Sequence, residues 1–164
     1  MAAPHLTIQV DDAQVLAAHA RQAAPDTGPL MPRLGEYLQR STQQRFKTQT
    51  APDGTLWAPL NPQYAEAKKY NKGKILTLRG YLRRYIHYQV QDANTVAVGS
   101  NQKYAAIHQF GGIIKPRKGK ALAFGGRLLA QVEIPARPYL GLSTEDTSEI
   151  RDIIRAWLVE RSSE

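Results

Sequence analysis

The chain contains no cysteine. That absence removes disulfides, thiol nucleophiles and cysteine-based zinc sites together. Stability must therefore come from packing, or from neighbours in an assembly. Long apolar runs are missing as well: no stretch approaches the roughly 18 residues that a membrane span needs. The amino-terminal MAAPHLTIQVDD has no basic leader and no long apolar core, so it does not read as a secretory signal, and the product reads as cytosolic.

The usual signatures of catalysis are also lacking. His5, His19, His87 and His108 are scattered, with no His-Glu-x-x-His and no acid at ligand spacing. His108 falls in a short apolar helix and His87 in a strand beside aromatics, where a packed or capping histidine fits better than a base or ligand. Gly141-Leu142-Ser143-Thr144-Glu145 lacks the closing glycine of a nucleophile elbow and is better explained as a helix cap. Gly73-Lys74 and Gly119-Lys120 lack the upstream glycine and the hydroxyl residue of a phosphate-binding loop. Glu145, Asp146 and Glu149 suit a helix start, where the dipole favours anions, more than an acid/base pair. No enzymatic activity, cofactor or metal is expected.

Acids are scarce in the middle of the chain. From Arg33 to Arg127 there are 17 Lys or Arg against four acids, whereas the two ends carry five basic and ten acidic residues. The overall charge of +8 is thus a basic centre between acidic ends. Such a split suits a protein that faces a polyanion on one side and something else on the other. A merely solvated basic surface is the plainer alternative.

What is present fits one domain over 164 residues, with 42% apolar and 22% charged residues. Residues 1–28 read as an amino-terminal helix and linker, the helix over Asp11 to Ala24 and the break at Pro25-Asp26-Thr27-Gly28-Pro29. A longer helix is expected from Leu30 or Pro32 toward Lys47, with Leu34, Tyr37, Leu38, Ser41, Arg45 and Phe46 on one face. Gly35 weakens it by roughly 1 kcal/mol relative to alanine. Thr48 to Asn61 is a loop, docked through Trp57 and Leu60 because their apolar area is costly to leave in water. Short helices are expected at Pro62 to Tyr70 and at Ile75 to Arg84.

The period then changes to that of strands. Tyr85–Gln91 and Thr95–Ser100 flank Asp92-Ala93-Asn94 as a hairpin. Tyr104 to Phe110 returns to a short helix, and residues 111–134 suit an extended hairpin or loop with a basic tip. A final helix is capped by Ser143 or Thr144 and carries Ile150, Ile153, Ile154, Trp157 and Leu158 as a core-facing stripe. Helices bracketing a small antiparallel sheet make an α+β domain.

Two basic clusters remain. Lys68, Lys69, Lys72, Lys74, Arg79, Arg83 and Arg84 are interleaved with Tyr64, Tyr70, Tyr81 and Tyr85. Lys115, Arg117, Lys118, Lys120 and Arg127 lie on the basic hairpin. Phosphate contacts need only such cations, and no base-reading motif accompanies them, so any DNA contact is sequence-blind. For the hairpin cluster, DNA and a protein partner are equally open.

The order and spacing of several pieces carry a resemblance. They are Gln44-Arg45-Phe46; Pro52-Asp53-Gly54 with Trp57, Pro59 and Leu60; Lys74-Ile75-Leu76 with Gly80, Leu82 and Arg83; Gly99-Ser100-Asn101 with Tyr104 to Gly112; and Ile134 to Leu142. Together they resemble the phage virion morphogenesis family, the tail-completion proteins of Mu-like contractile-tailed phages. Tyr81 and Tyr85 depart from the pattern, where an arginine and a small polar residue would be expected.

The resemblance implies a small α+β virion protein that assembles as a homohexameric ring at the head-proximal end of the tail and helps join tail to head. It implies other phage neck, tail-terminator or tail-tube proteins as partners, no membrane, and non-specific contact with genomic DNA in the channel. The protein would pass through the host cytoplasm during assembly. Trp57, Tyr104, His108, Phe110, Gly111, Gly112, Arg137 and Tyr139 are then fold or interface determinants, not active-site residues. The rival readings are a non-specific nucleic-acid-binding protein with no ring-forming role, and a small hydrolase.

Overall fold

The computed structural model describes residues 3–9, 26–117, 119, 121–124 and 127–163, with the backbone alone for Phe124 and Arg127. The helix expected over Asp11 to Ala24 lies outside the described residues. Five helices are described: α1 (Leu30–Thr48), α2 (Pro62–Ala67), α3 (Tyr81–Arg84), α4 (Ala105–Phe110) and α5 (Thr144–Ser162). The strands are β1 (His5–Gln9), β2 (Ile86–Asp92), β3 (Thr95–Ser100), β4 (Gly112–Ile114), β5 (Leu122–Phe124), β6 (Arg127–Leu129) and β7 (Val132–Ile134).

The α+β class follows from how these elements cover one another. Strands β1, β3 and β2 form an antiparallel sheet in that order, with Ile86 opposite Ser100 and His5 opposite Gly99. Central β3 buries Val96, Ala97 and Val98, and α1 lies across β2 and β3. Leu30, Met31, Leu34, Leu38 and Phe46 on α1 are buried at the spacing expected of a helical stripe. Helix α5 packs on α1, where Trp157 closes a small cluster with Leu30, Met31, Leu34 and Val96.

Close approach explains Gly35. A Cβ there would lie 2.4 Å from Cδ2 of Tyr88, so α1 meets β2 only because that side chain is missing. The contact is also polar. Gln39 on α1 accepts a hydrogen bond from the Tyr88 backbone N–H, on the edge strand of the sheet.

Strand β1 goes beyond the sequence expectations. Its five residues alternate, with Leu6 and Ile8 packed against the core, but it holds its place through long-range pairing with β3.

Two expectations are corrected. The helix expected over Ile75 to Arg84 is reduced to Tyr81–Arg84, because Leu76 (φ 52°) and Gly80 (φ 79°) are left-handed and interrupt any helix there. The short helix starting at Pro62 also stops early, at Ala67. Residues 112–134 carry two short antiparallel ladders. Strand β4 pairs with β7, and β5 pairs with β6 further out. Lys115 and Arg117 sit between these two ladders, and Phe124 pairs with Arg127 in the outer one. Lys118 and Lys120 lie outside the described residues.

Candidate functional site

A polar knot fixes the framework on which the surfaces are mounted. Ser143 caps α5 by accepting from the Asp146 backbone N–H, and Asp146 accepts in return from the Ser143 N–H at 2.8 Å. The same carboxylate accepts from Tyr37 at 3.0 Å, from Ser41 and from Arg45, all on α1. Burial alone would raise the Asp146 carboxyl. The hydrogen bonds from Ser41 and Ser143, together with the Arg45 charge, outweigh burial and hold it below the usual carboxylate range.

Arg45 also donates to the Tyr139 carbonyl at 2.9 Å, which links the knot to the segment after β7. Tyr139 is fully buried, its hydroxyl donates to the Ala105 carbonyl, and its ring lies 5.4 Å from that of Phe46. Trp57 stands edge-on to Phe46 and donates to the Pro138 carbonyl at 2.7 Å. Arg137 turns inward and donates to the carbonyls of Ala58 and Pro59 at 2.7 and 2.8 Å. The loop is therefore held at the Trp57 indole and at the two residues that follow it.

Gln109 completes this wedge in a way that pattern reading missed. Its side-chain oxygen accepts from the N–H groups of Tyr139 and Leu140, and its amide donates to the Leu140 carbonyl. One side chain thus stands in for a paired strand. Gly111 makes the exit from α4 possible: its φ is 71°, and a Cβ would meet the Ala136 nitrogen at 2.7 Å. Gly112, also at positive φ, opens β4.

Two surface features stand on this scaffold. The first is an apolar groove of about 870 Å³ between the Pro59–Lys68 stretch, the loop before α3, helix α4 and strand β7. His108 lines it, and its Nδ1 is buried without a hydrogen-bond partner among the described residues. Burial, helped by the nearby Arg137 charge, lowers the His108 pKa to about 4. It is therefore a neutral imidazole packed beside Tyr104, ring centres 6.0 Å apart. Apolar side chains stay exposed around the groove and along the adjoining ladders: Phe110 (69%), Ile113 (55%) and Leu128 (77%).

The second is a basic cleft of about 500 Å³ between the last turns of α1 and the loop reaching α3. Lys47, Lys74, Arg79, Arg83 and Arg84 line it, and among the described residues no carboxylate does. The two features share a wall at Thr77, Arg79 and Gly80.

The expected cluster is thus divided. Lys74, Arg79, Arg83 and Arg84 come together, whereas Lys69 and Lys72 are exposed outside the cleft. Lys68 is not a surface cation at all. It is 3% exposed, and its ammonium donates to the carbonyls of Asn71 and Lys74, bracing the loop from within. Lys47 was missed because it joins the cleft from more than 25 residues away; its one sequence signal is its place in the last basic turn of α1. Lys115 and Arg117 are exposed away from the cleft, and the Arg127 side chain lies outside the described residues.

Among the described residues no group of three or more His, Cys, Asp or Glu could hold a metal. No described helix is long and apolar enough to cross a membrane.

The chain matches the phage virion morphogenesis family over residues 8–159. It is 33% identical over 129 residues to tail completion protein S of Escherichia phage P2, covering 76% of this chain and 79% of that protein. Putative capsid assembly protein G of Escherichia phage Mu is 35% identical over 124 residues, covering 72% and 70%. The Mu-like prophage FluMu G protein 2 of Haemophilus influenzae is 29% identical over 153 residues, covering 92% and 94%. No solved structure matches the chain.

Proposed function

Because the chain belongs to the phage virion morphogenesis family, we propose that it is a structural protein that forms a six-fold ring at the head-proximal end of the tail and helps join the tail to a filled head. The relative in phage P2 is named for tail completion and the one in phage Mu for capsid assembly, and a protein at the joint between tail and head would suit both names. On this reading the protein works by assembly and not by turnover. Its partners are further copies of itself and the neck, tail-terminator or tail-tube proteins above and below.

The observation that carries the reading is the paired ladders from Gly112 to Ile134. A two-stranded ribbon is marginal alone in water. This one leaves Ile113, Ile114 and Leu128 exposed, next to an apolar groove and the exposed Phe110. Apolar groups so placed suit contact with another protein. A ring around the DNA path also gives the basic centre of the chain a polyanion to face, and leaves the acidic ends for neighbouring subunits.

The test is electron microscopy of particles from a phage or prophage lacking the gene. Filled heads beside detached tails are the expected result; intact joined virions overturn the reading. Native mass spectrometry of the purified protein then gives the ring's copy number, expected to be six.

The basic cleft favours one other reading, a non-specific nucleic-acid-binding protein with no ring-forming role. That protein would bind DNA as a monomer with steep salt dependence.

A further inference from the structure

We propose that the cleft lined by Lys47, Lys74, Arg79, Arg83 and Arg84 is a binding site for the phosphodiester backbone of duplex DNA, and that this cleft is the chain's main nucleic-acid contact, ahead of the basic segment in the hairpin. The proposal deepens the reading above, on which the protein surrounds the DNA path. Its test does not depend on ring formation.

The first argument is charge without compensation. Among the described residues, five exposed cations converge on one opening, no acidic residue lines it, and none of the five joins an ion pair. Like charges gathered at this density repel one another, an arrangement that an incoming polyanion relieves. By contrast, Lys115 and Arg117 sit on an arm whose exposed neighbours Ile113 and Ile114 are apolar.

The second argument is preorganisation. The Arg79 guanidinium lies 5.0 Å from the centre of the Tyr70 ring, and that of Arg84 lies 5.8 Å from the Tyr81 ring. Each aromatic face restrains a side chain that would otherwise lose much rotamer freedom on binding. The loop carrying Lys74 and Arg79 is itself held. Lys68 donates to the carbonyls of Asn71 and Lys74, and Asn71 donates to the Leu78 carbonyl at 3.0 Å.

The third argument separates DNA from an acidic protein. The centre of a protein–protein interface is depleted in charge, whereas protein–DNA interfaces are polar and strongly positive. Among the described residues, the one large apolar side chain lining this cleft, Phe46, is spent on the core, packed against Trp57 and Tyr139. The apolar material an interface with a protein would want lies instead around the groove on the other side of Arg79.

Duplex fits better than single strand, because the aromatic ring lining the cleft, Phe46, is buried in the core and offers no platform for bases. Arg83 and Arg84 ride a helix of four residues, too short to enter a groove and read base edges. Binding is therefore blind to sequence.

The experiment is fluorescence anisotropy of a labelled duplex with the full-length protein across a range of salt concentrations. Three variants accompany the wild type: K74Q/R79Q/R83Q, K115Q/R117Q, and the charge-preserving K74R/R79K/R83K. The cleft triple variant should weaken binding at least about tenfold. Its log–log salt slope should be shallower by about 2.7, because three phosphates are no longer neutralised. The hairpin variant should lose less, the charge-preserving variant should keep the wild-type slope, and two unrelated duplexes should bind alike.

Wild-type affinity in the cleft triple variant, a larger loss in the hairpin variant, or a charge-preserving variant as weak as the neutral one overturns the proposal. Normal DNA binding combined with failed tail joining in the cleft triple variant also overturns it, and points to an acidic protein. The deletion phenotype stays separate. Joined virions without the gene would sink the ring reading and leave the DNA result standing.

Discussion

Arg45 and Asp146 stand 101 residues apart, yet they form the one ion pair among the described residues that is closed to solvent, with side chains 8% and 2% exposed. The other two pairs, Arg33 with Glu160 and Arg155 with Asp152, are exposed on the surface. The buried pair ties α1 to the start of α5 and reaches Tyr139 through the second arm of the guanidinium. A pair so enclosed is hard to break singly, because the partner left behind is a buried charge.

Asp146→Ala should therefore lower stability by about 3–5 kcal/mol, read from urea unfolding. The double change Arg45→Met with Asp146→Leu should not restore it. Tyr37, Ser41 and the Ser143 N–H would all lose the acceptor they share. Recovery to wild-type stability in the double variant would show that the pair stands alone and is not a hub.

Gly35→Ala sets two effects against each other. Helix propensity favours alanine by about 1 kcal/mol. The new Cβ, 2.4 Å from Tyr88, forces a shift where α1 meets β2, and overpacking typically costs about 1–3 kcal/mol. The clash should win, so the variant should melt at a lower temperature. A raised melting temperature would mean that the Tyr88 ring moves aside freely.

Gln109→Leu keeps the size but removes the acceptor for two N–H groups and the donor for one carbonyl. Leaving such partly buried groups unpaired costs about 1–3 kcal/mol each, so a loss on the order of 3 kcal/mol is expected. Gln109→Glu keeps the acceptor and should lose less. Equal losses in the two variants would assign the stability to packing.

Acid should weaken the fold in two windows. The pKa of His108 falls from 6.5 in the unfolded chain to about 4 in the folded one, so between these values the unfolded chain takes up the proton. Stability should drop by about 3 kcal/mol as pH falls through that window. Asp146 acts lower. Its carboxyl is held below 3.8, so its contribution is kept above that pH and lost as pH falls further, through its folded value. His108→Phe should flatten the upper window and leave the lower one; an unchanged pH profile would remove His108 as the cause.

Leu128→Ser and Ile113→Ser test the arm. Both side chains are largely exposed, so folded stability should change little, within about 0.5 kcal/mol. Light scattering should nevertheless show a smaller assembly than the wild type. An unchanged mass would exclude the arm from subunit contact.

What the sequence made legible was local. The stripe of α1, the hairpin of β2 and β3, the Ser143 cap and the buried Trp57 each follow from a period, a turn or an area that a short window contains. What it hid depends on partners far along the chain. Strand β1 exists through β3, Gly35 through Tyr88, and the Asp146 knot through α1. Ile75 to Arg84 reads as a helix in the sequence, but the loop before Tyr81 is set by Lys68 and by left-handed Leu76, neither of which leaves a periodic trace. The cleft is half visible in the sequence: the run from Lys74 to Arg84 can be read directly, Lys47 cannot, and nothing local marks Lys68 as buried.

The placement of α5 has a consequence for how the chain is made. The faces of Leu30, Met31 and Leu34 wait for Trp157, and the Arg45 guanidinium waits for Asp146. A ribosome must therefore release nearly all of the described domain before its earliest long helix can be sealed. Until then the nascent chain carries an open apolar stripe and an unpaired charge, which chaperones and proteases recognise. A prematurely terminated copy would be cleared from the cell instead of competing for a place in the particle.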